Sequence, residues 1–253
     1  MKKLVCLLLC ACLLLACPAA AQADTRLSLL KTDSGNETMT FWYDEKGQLT
    51  SVKRSSGNDM SYAYDALGHL VEVNASVWEG FGPMYQYTYD ENGYLVGISG
   101  IGEGGGVYTR LENDADGFVV YEIDDSPDFP STVHYIYNAD RTHADVVTMI
   151  TAMDGTETTI IHALDFTYDA QGRILTEVES ASDFSYSHSY DYSFFPLVLV
   201  RDSEDMVVRM EIQDPFGMTV WETNCAPSAC SIEKASDGSA LRIELENLVA
   251  YFE

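Results

Sequence analysis

The stretch Tyr-Asp-x-x-Gly-x-Leu recurs along this chain, unbroken at 43–49, 64–70 and 89–95, and with Ile174 in place of leucine in the copy opening at Tyr168. Each copy is entered by aromatic or apolar residues two apart: Phe41 and Tyr43, Tyr62 and Tyr64, Tyr85, Tyr87 and Tyr89, Phe166 and Tyr168. A period of two is that of a β-strand. The Asp-x-x-Gly that follows suits a tight turn, because aspartate accepts hydrogen bonds from the turn backbone and glycine tolerates positive φ. Each motif therefore encodes a strand, a turn and a returning strand.

Weaker copies occur at 113–117, 137–141, 192–196, 213–217 and 234–238, and successive frames from Tyr43 start 21, 25, 24, 24, 31, 24, 21 and 21 residues apart. A unit of this length holds two strands of about six residues and two short turns. No Pro-rich or charged linker interrupts the series, so residues 24–253 read as a single domain. The expected fold is all-β: tandem antiparallel β-hairpins forming one continuous twisted and curled sheet, because a flat layer would leave both faces wet. Strand order should follow the sequence, with closure into a wide open barrel as a further option. The motif turns should line one rim, and the irregular Gly-, Pro- and acid-rich linkers at 78–83, 100–106 and 124–130 the other. One spacing resists this scheme. Leu49 and Val52, Leu70 and Val73, and Leu95 and Ile98 lie three apart, which places them on opposite faces unless a bulge intervenes.

These residues resemble the YD repeats, also called RHS repeats, of bacterial surface and toxin-associated proteins. The resemblance covers most of the chain after the leader, is specific at four copies and loose at five, and implies hairpins joined edge to edge into a long antiparallel sheet that curls into a shell. In the largest members the shell encloses a toxin. This chain is expected to be too short for a large shell and to carry no separate C-terminal domain. Its Asp214-Pro215-Phe216-Gly217 turn only faintly resembles the family's terminal Asp-Pro motif, so encapsulation and self-cleavage are not carried over.

Residues 1–23 have two lysines, an apolar run from Leu4 to Ala16 and small residues ending Ala21-Gln22-Ala23, the three-part layout of a secretory signal peptide. The run is shorter than the roughly 20 residues needed to span a bilayer, so no membrane span is expected in the remaining chain. The rival reading is cleavage before Cys17, since Leu14-Leu15-Ala16-Cys17 resembles a lipobox. That would give a lipid-anchored form through Cys17, against which Pro18 speaks. A secreted or cell-surface address in a bacterium follows.

The formal charge is −26, and loss of Lys2 and Lys3 with the leader makes it −28. Such a surface repels nucleic-acid phosphates and anionic headgroups. Acidity of this order suggests disorder when aromatics are few, but here 16 Tyr and 10 Phe alternate regularly, so the chain should fold. Four of six cysteines lie in the leader. Cys225 and Cys230 remain, and their spacing in an exported protein predicts a local disulfide.

Chemistry-bearing patterns are sparse. The 113–117 loop lacks the closing acid of a helix-loop-helix calcium site, leaving a weak site at Asp124, Asp125 and Asp128 as the remaining metal option. His69, His134, His143, His162 and His188 have no ligand spacing and read as surface or packing residues. Nothing calls for a cofactor, and no nucleophile elbow or phosphate loop is present. The tyrosines read as cross-strand packing in preference to an exposed ladder for sugars or peptides. The function expected is that of a non-catalytic scaffold or binding module for a cell-envelope glycan or protein, with a glycan-processing hydrolase using loop carboxylates as the alternative. The candidate docking residues are Trp78, Phe81 and Tyr85, the one place where a Trp joins Gly and Pro in a long linker.

Overall fold

The computed structural model describes residues 26–32, 37–77, 80–102, 105–126, 130–214, 216–236, 240–246 and 248–252, with backbone alone at 77, 80–83, 101–102, 105–107 and 241. The leader, Cys17, Trp78 and Asp128 lie outside the described residues, as does the side chain of Phe81. The chain forms strands β1 (Leu27–Thr32), β2 (Thr38–Tyr43), β3 (Leu49–Arg54), β4 (Met60–Tyr64), β5 (Leu70–Val77), β6 (Gly80–Tyr89), β7 (Leu95–Gly102), β8 (Gly105–Asn113), β9 (Val119–Asp124) and β10 (Ser131–Tyr137). It continues through β11 (His143–Thr151), β12 (Glu157–Tyr168), β13 (Ile174–Ser180), β14 (Ser185–Phe194), β15 (Leu197–Arg201), β16 (Val207–Gln213), β17 (Thr219–Ser228), β18 (Ser231–Lys234), β19 (Ala240–Leu245) and β20 (Leu248–Phe252). Every pairing is antiparallel. All nine frames fall on hairpin turns, from β2–β3 to β18–β19.

Each recurring position of the motif has a separate job. Asp44 Oδ1 accepts from the N–H of Lys46 (2.9 Å) and Gln48 (2.8 Å), while the Asp44 carbonyl accepts from Gly47 N (3.0 Å), which closes the turn with Gly47 at φ 85°. The same contacts recur at Asp65, Asp90, Asp114, Asp169 and Asp214. The tyrosine ties one repeat to the one before it. Tyr43 Oη donates to the Leu27 carbonyl (3.1 Å), Tyr64 Oη to Leu49 (2.9 Å) and Tyr89 Oη to Leu70 (2.9 Å). In the weaker frame at 113, Asn113 Nδ2 makes the equivalent bond to the Leu95 carbonyl (2.9 Å). Burial pushes the hydroxyl pKa of Tyr87 up to about 12, and those of Tyr43, Tyr62, Tyr64 and Tyr89 also rise, mainly through burial. The tyrosines are packing and stapling groups.

The three-residue spacing is resolved by bulges. Trp42 pairs with Ser51 but Tyr43 pairs with Leu49, so Thr50 is extra and Leu49 and Val52 are both buried on one face. The same step occurs between Ala63 and Tyr64, and between Thr88 and Tyr89. A glycine in the left-handed region next to an unpaired residue is a natural place for such a bulge.

Strand order departs from the sequence at one point. The last strands return and pair with the first, β20 against β1 and β19 against β20, giving the order β18-β19-β20-β1 through to β17. No described residue of β17 pairs with β18, so the sheet is not closed into a barrel.

Instead, it is rolled. Directly paired residues share a sheet face, so a face can be followed from strand to strand. Phe41, Val52, Tyr62 and Val73 on β2–β5 share a face with Tyr87, Leu111, Tyr135, Val146 and Phe166, and that face continues to Glu177, His188, Val200 and Arg209. Yet the residues of β15–β17 that pack with Phe41 and Val52 in one core are Leu197, Leu199, Met210, Ile212 and Trp221, which lie on the opposite face. Trp221 meets Phe41 edge-on with ring centroids 5.0 Å apart. The outward face of the late strands thus lies under the inward face of the early ones, as in a scroll. β15 is consequently buried on both faces, with Leu197, Val198, Leu199 and Val200 all inaccessible. A second core, built from Leu95, Leu111, Val146, Leu164 and Phe166, fills the bend of β7–β13.

Candidate functional site

Two groups of residues present chemistry: the linker rim singled out from the sequence, and a polar belt inside the scroll. On the rim, the Phe81 backbone pairs with Ser76, and a bulge at Pro83–Met84 separates that pairing from Val73–Tyr85. Tyr85 is 38% exposed and sits on the inward face opposite Val73. The structure therefore places Tyr85 on the inner sheet surface, while Trp78 and the Phe81 side chain lie outside the described residues. The rims are also less distinct than expected. Motif-like turns at 152–156 and 202–206 lie on the linker rim, with Gly155 and Asp205 at positive φ.

The inner belt lies on the inward face of β13–β16. Glu177, 6% exposed, occupies the position held by Val52 and Val73 in earlier repeats, three residues after the buried Ile174. Tyr190 Oη donates to Glu177 Oε2 (3.2 Å). Across β15, Glu211 is 3% exposed, pairs with Arg209 (Nε to Oε1, 2.6 Å), and accepts from Gln213 Nε2 (3.0 Å) and Thr219 Oγ1 (2.9 Å). Burial pushes the Glu177 carboxyl above its usual range. Burial, then the Arg209 charge, lowers the half-buried His188. Glu122 repeats this arrangement on β9, raised by burial and hydrogen-bonded by Tyr135 Oη (3.4 Å). A glutamate at the third residue after the motif's leucine position is the sequence signal that could have revealed both, because the three unbroken copies place Val52, Val73 and Ile98 there.

The β16–β17 turn is the second interior polar feature. Asp214 is buried where the two cores meet, with Met218 packed against both. His69 stacks between Phe216 (4.6 Å) and Tyr89 (4.7 Å), and its Nδ1 lies 2.9 Å from Asp65 Oδ2. Burial raises the Asp214 carboxyl to about 6, against the pull of the Met218 and Phe216 N–H groups. His69 is therefore a packing residue, as the spacing suggested, although the turn it packs on comes from 145 residues later in the chain.

Cys225 and Cys230 are free thiols, and the expected disulfide is absent. The 226–228 segment continues β17 through a three-residue bulge opposite Val208 instead of forming a compact loop between the two cysteines. Asp124 is engaged within its own turn, accepting from Ser126 N (2.8 Å).

Residues 27–109, the β1–β8 segment, match the Teneurin YD-shell family. Over these residues the chain is similar to YD repeats. A solved chain in the crystal structure of TcdB2-TccC3-Cdc42 is similar over 86% of this chain, at 13% identity and a TM-score of 0.35, and this chain spans 14% of that one's length. No curated protein matches the sequence. Among the described residues, no helix is long and apolar enough to cross a membrane.

Proposed function

We propose that this YD-repeat protein is a non-catalytic exported scaffold that binds a cell-envelope glycan or protein through its linker rim. The observation that carries the reading is that its buried acids already have partners. Glu177 is engaged by Tyr190, Glu211 by Arg209, Gln213 and Thr219, and Asp214 by its own turn backbone. A general acid has to reach a substrate proton within about 3 Å, whereas Glu177 and Glu211 are both buried, Glu211 opposite the inaccessible Val198. Their chemistry is that of buried polar pairs holding adjacent strands in register.

The test is retention of the purified chain on envelope extracts, compared with a Trp78→Ala/Phe81→Ala variant. Binding lost with an unchanged melting temperature supports the rim as the docking site. A sharp fall in melting temperature with unchanged retention removes it. The hydrolase alternative draws on the raised carboxyl of Glu177 and predicts turnover of envelope glycans that Glu177→Gln abolishes. The scaffold reading predicts no turnover in either protein.

A further inference from the structure

Twice at the motif turns this chain sets an arginine against both an aromatic ring and a carboxylate. Arg141 Cζ lies 4.6 Å from the Phe118 ring centroid and 5.0 Å from that of Tyr137, and its guanidinium is bonded to Asp114 and lies 3.6 Å from Asp116 Oδ2. Arg173 Cζ lies 4.2 Å over Tyr192, with its Nε 2.7 Å from Asp169 Oδ2. The ring quadrupole attracts the cation, and the carboxylate fixes its orientation. The β13–β14 connection, on the linker rim, carries the same set without the arginine. The Phe184 and Tyr186 rings are 5.2 Å apart and inclined at 32°, against 5.7 Å for the Phe118–Tyr137 pair. Tyr186 pairs directly with Glu179, so ring and carboxylate share the inward face. Tyr186 is 60% exposed, and the ion partner of Glu179 is His162, at 3.7 Å. Among the described residues, no arginine or lysine lies over either ring.

We propose that Phe184, Tyr186 and Glu179 form a docking site for an arginine side chain of a basic polypeptide partner. Charge selects the occupant. With 40 Asp and Glu against 14 Lys and Arg, the chain draws cationic segments toward it and repels anionic ones. Asp183, exposed in the connection itself, adds a second carboxylate beside the rings. The partner's guanidinium takes the place over Tyr186 that Arg141 takes over Phe118, and Glu179 accepts from it as Asp114 does. Arginine suits the site better than lysine, because a planar guanidinium stacks on a ring and bonds a carboxylate at the same time. This inference rests on the linker rim being the docking side, but on different residues from Trp78 and Phe81.

Fluorescence anisotropy of a labelled Gly-Arg-Gly-Arg-Gly peptide, with no envelope extract present, tests the site. The wild-type chain should bind it, and should bind the same peptide with citrulline in place of arginine about tenfold more weakly, since citrulline keeps the shape and loses the charge. Tyr186→Ala, Tyr186→Leu and Glu179→Gln should each weaken binding about fivefold at unchanged melting temperature. Asp154→Asn, which removes an exposed acid on the neighbouring β11–β12 turn, should leave binding unchanged. No binding of the arginine peptide, equal binding of the citrulline peptide, an equal loss with Asp154→Asn, or full binding by Tyr186→Leu overturns the proposal. Peptide binding with this pattern but no retention on envelope extracts would support the site and remove the envelope reading alone.

Discussion

At the residue scale, the tyrosine of the motif holds the repeats together as well as filling space. Tyr64→Phe keeps the ring and deletes the bond to the Leu49 carbonyl. It should cost about 1 kcal/mol, the usual net worth of such a bond. Urea titration would read this as a lower midpoint at constant slope, and an unchanged midpoint would mean that the hydroxyl contributes only packing. Asp214 acts in the opposite sense. Its carboxyl is raised from 3.8 to about 6 by burial, so the folded state holds the proton more tightly than the unfolded chain. Its contribution is fully favourable below about pH 4 and is lost as pH rises through 6. The shift corresponds to about 3 kcal/mol at most. Asp214→Asn keeps an oxygen for the Phe216 and Met218 N–H groups without the charge. It should therefore melt higher than wild type at pH 7.5 and alike at pH 3.5, and a difference that does not vary with pH would contradict this. The Cys225 thiol, pushed by burial up to about 11, should resist alkylation at pH 8 until the fold is denatured.

At the scale of elements, the turns and their bulges were legible because Asp, Gly and the aromatic period each carry a local physical meaning. The same glycine position has different tolerances, however. A Cβ on Gly117 would come within 2.3 Å of Tyr94 Cε1, whereas one on Gly155 meets nothing within 4 Å, though both sit at positive φ. Gly155→Ala should cost only the left-handed strain, about 1–2 kcal/mol, and Gly117→Ala about 3 kcal/mol or more because the ring must also move. Equal losses in urea midpoints would show that the contact with Tyr94 is relieved easily. The position three after the motif's leucine was read from the sequence as apolar, which hid Glu122 and Glu177. A buried glutamate there is sustained by a tyrosine on the adjacent strand, a pairing that needs the strand register to be seen. The disulfide expectation failed at this scale too, because a bulged strand replaced the loop assumed between the cysteines.

At the scale of the whole molecule, periodicity predicted one antiparallel sheet but was silent on which face covers which. Alternation gives an inside and an outside for each strand. It does not reveal that β15, with Leu197-Val198-Leu199-Val200 unbroken, is buried on both sides, although a run of four apolar residues is what a doubly covered strand requires. The return of β20 to β1 was equally hidden, since it depends on contacts more than 200 residues apart. The account turns on the scroll: in a simple barrel, the Glu222 and Asn224 face of β17 would turn toward Phe41. Here the Trp221 face does so. The decisive measurement is a nuclear Overhauser spectrum of the isotope-labelled chain. Ring-to-ring cross-peaks between Phe41 and Trp221, with Trp221 shielded from acrylamide quenching, are predicted; their absence, with a readily quenched Trp221, would contradict the rolled sheet.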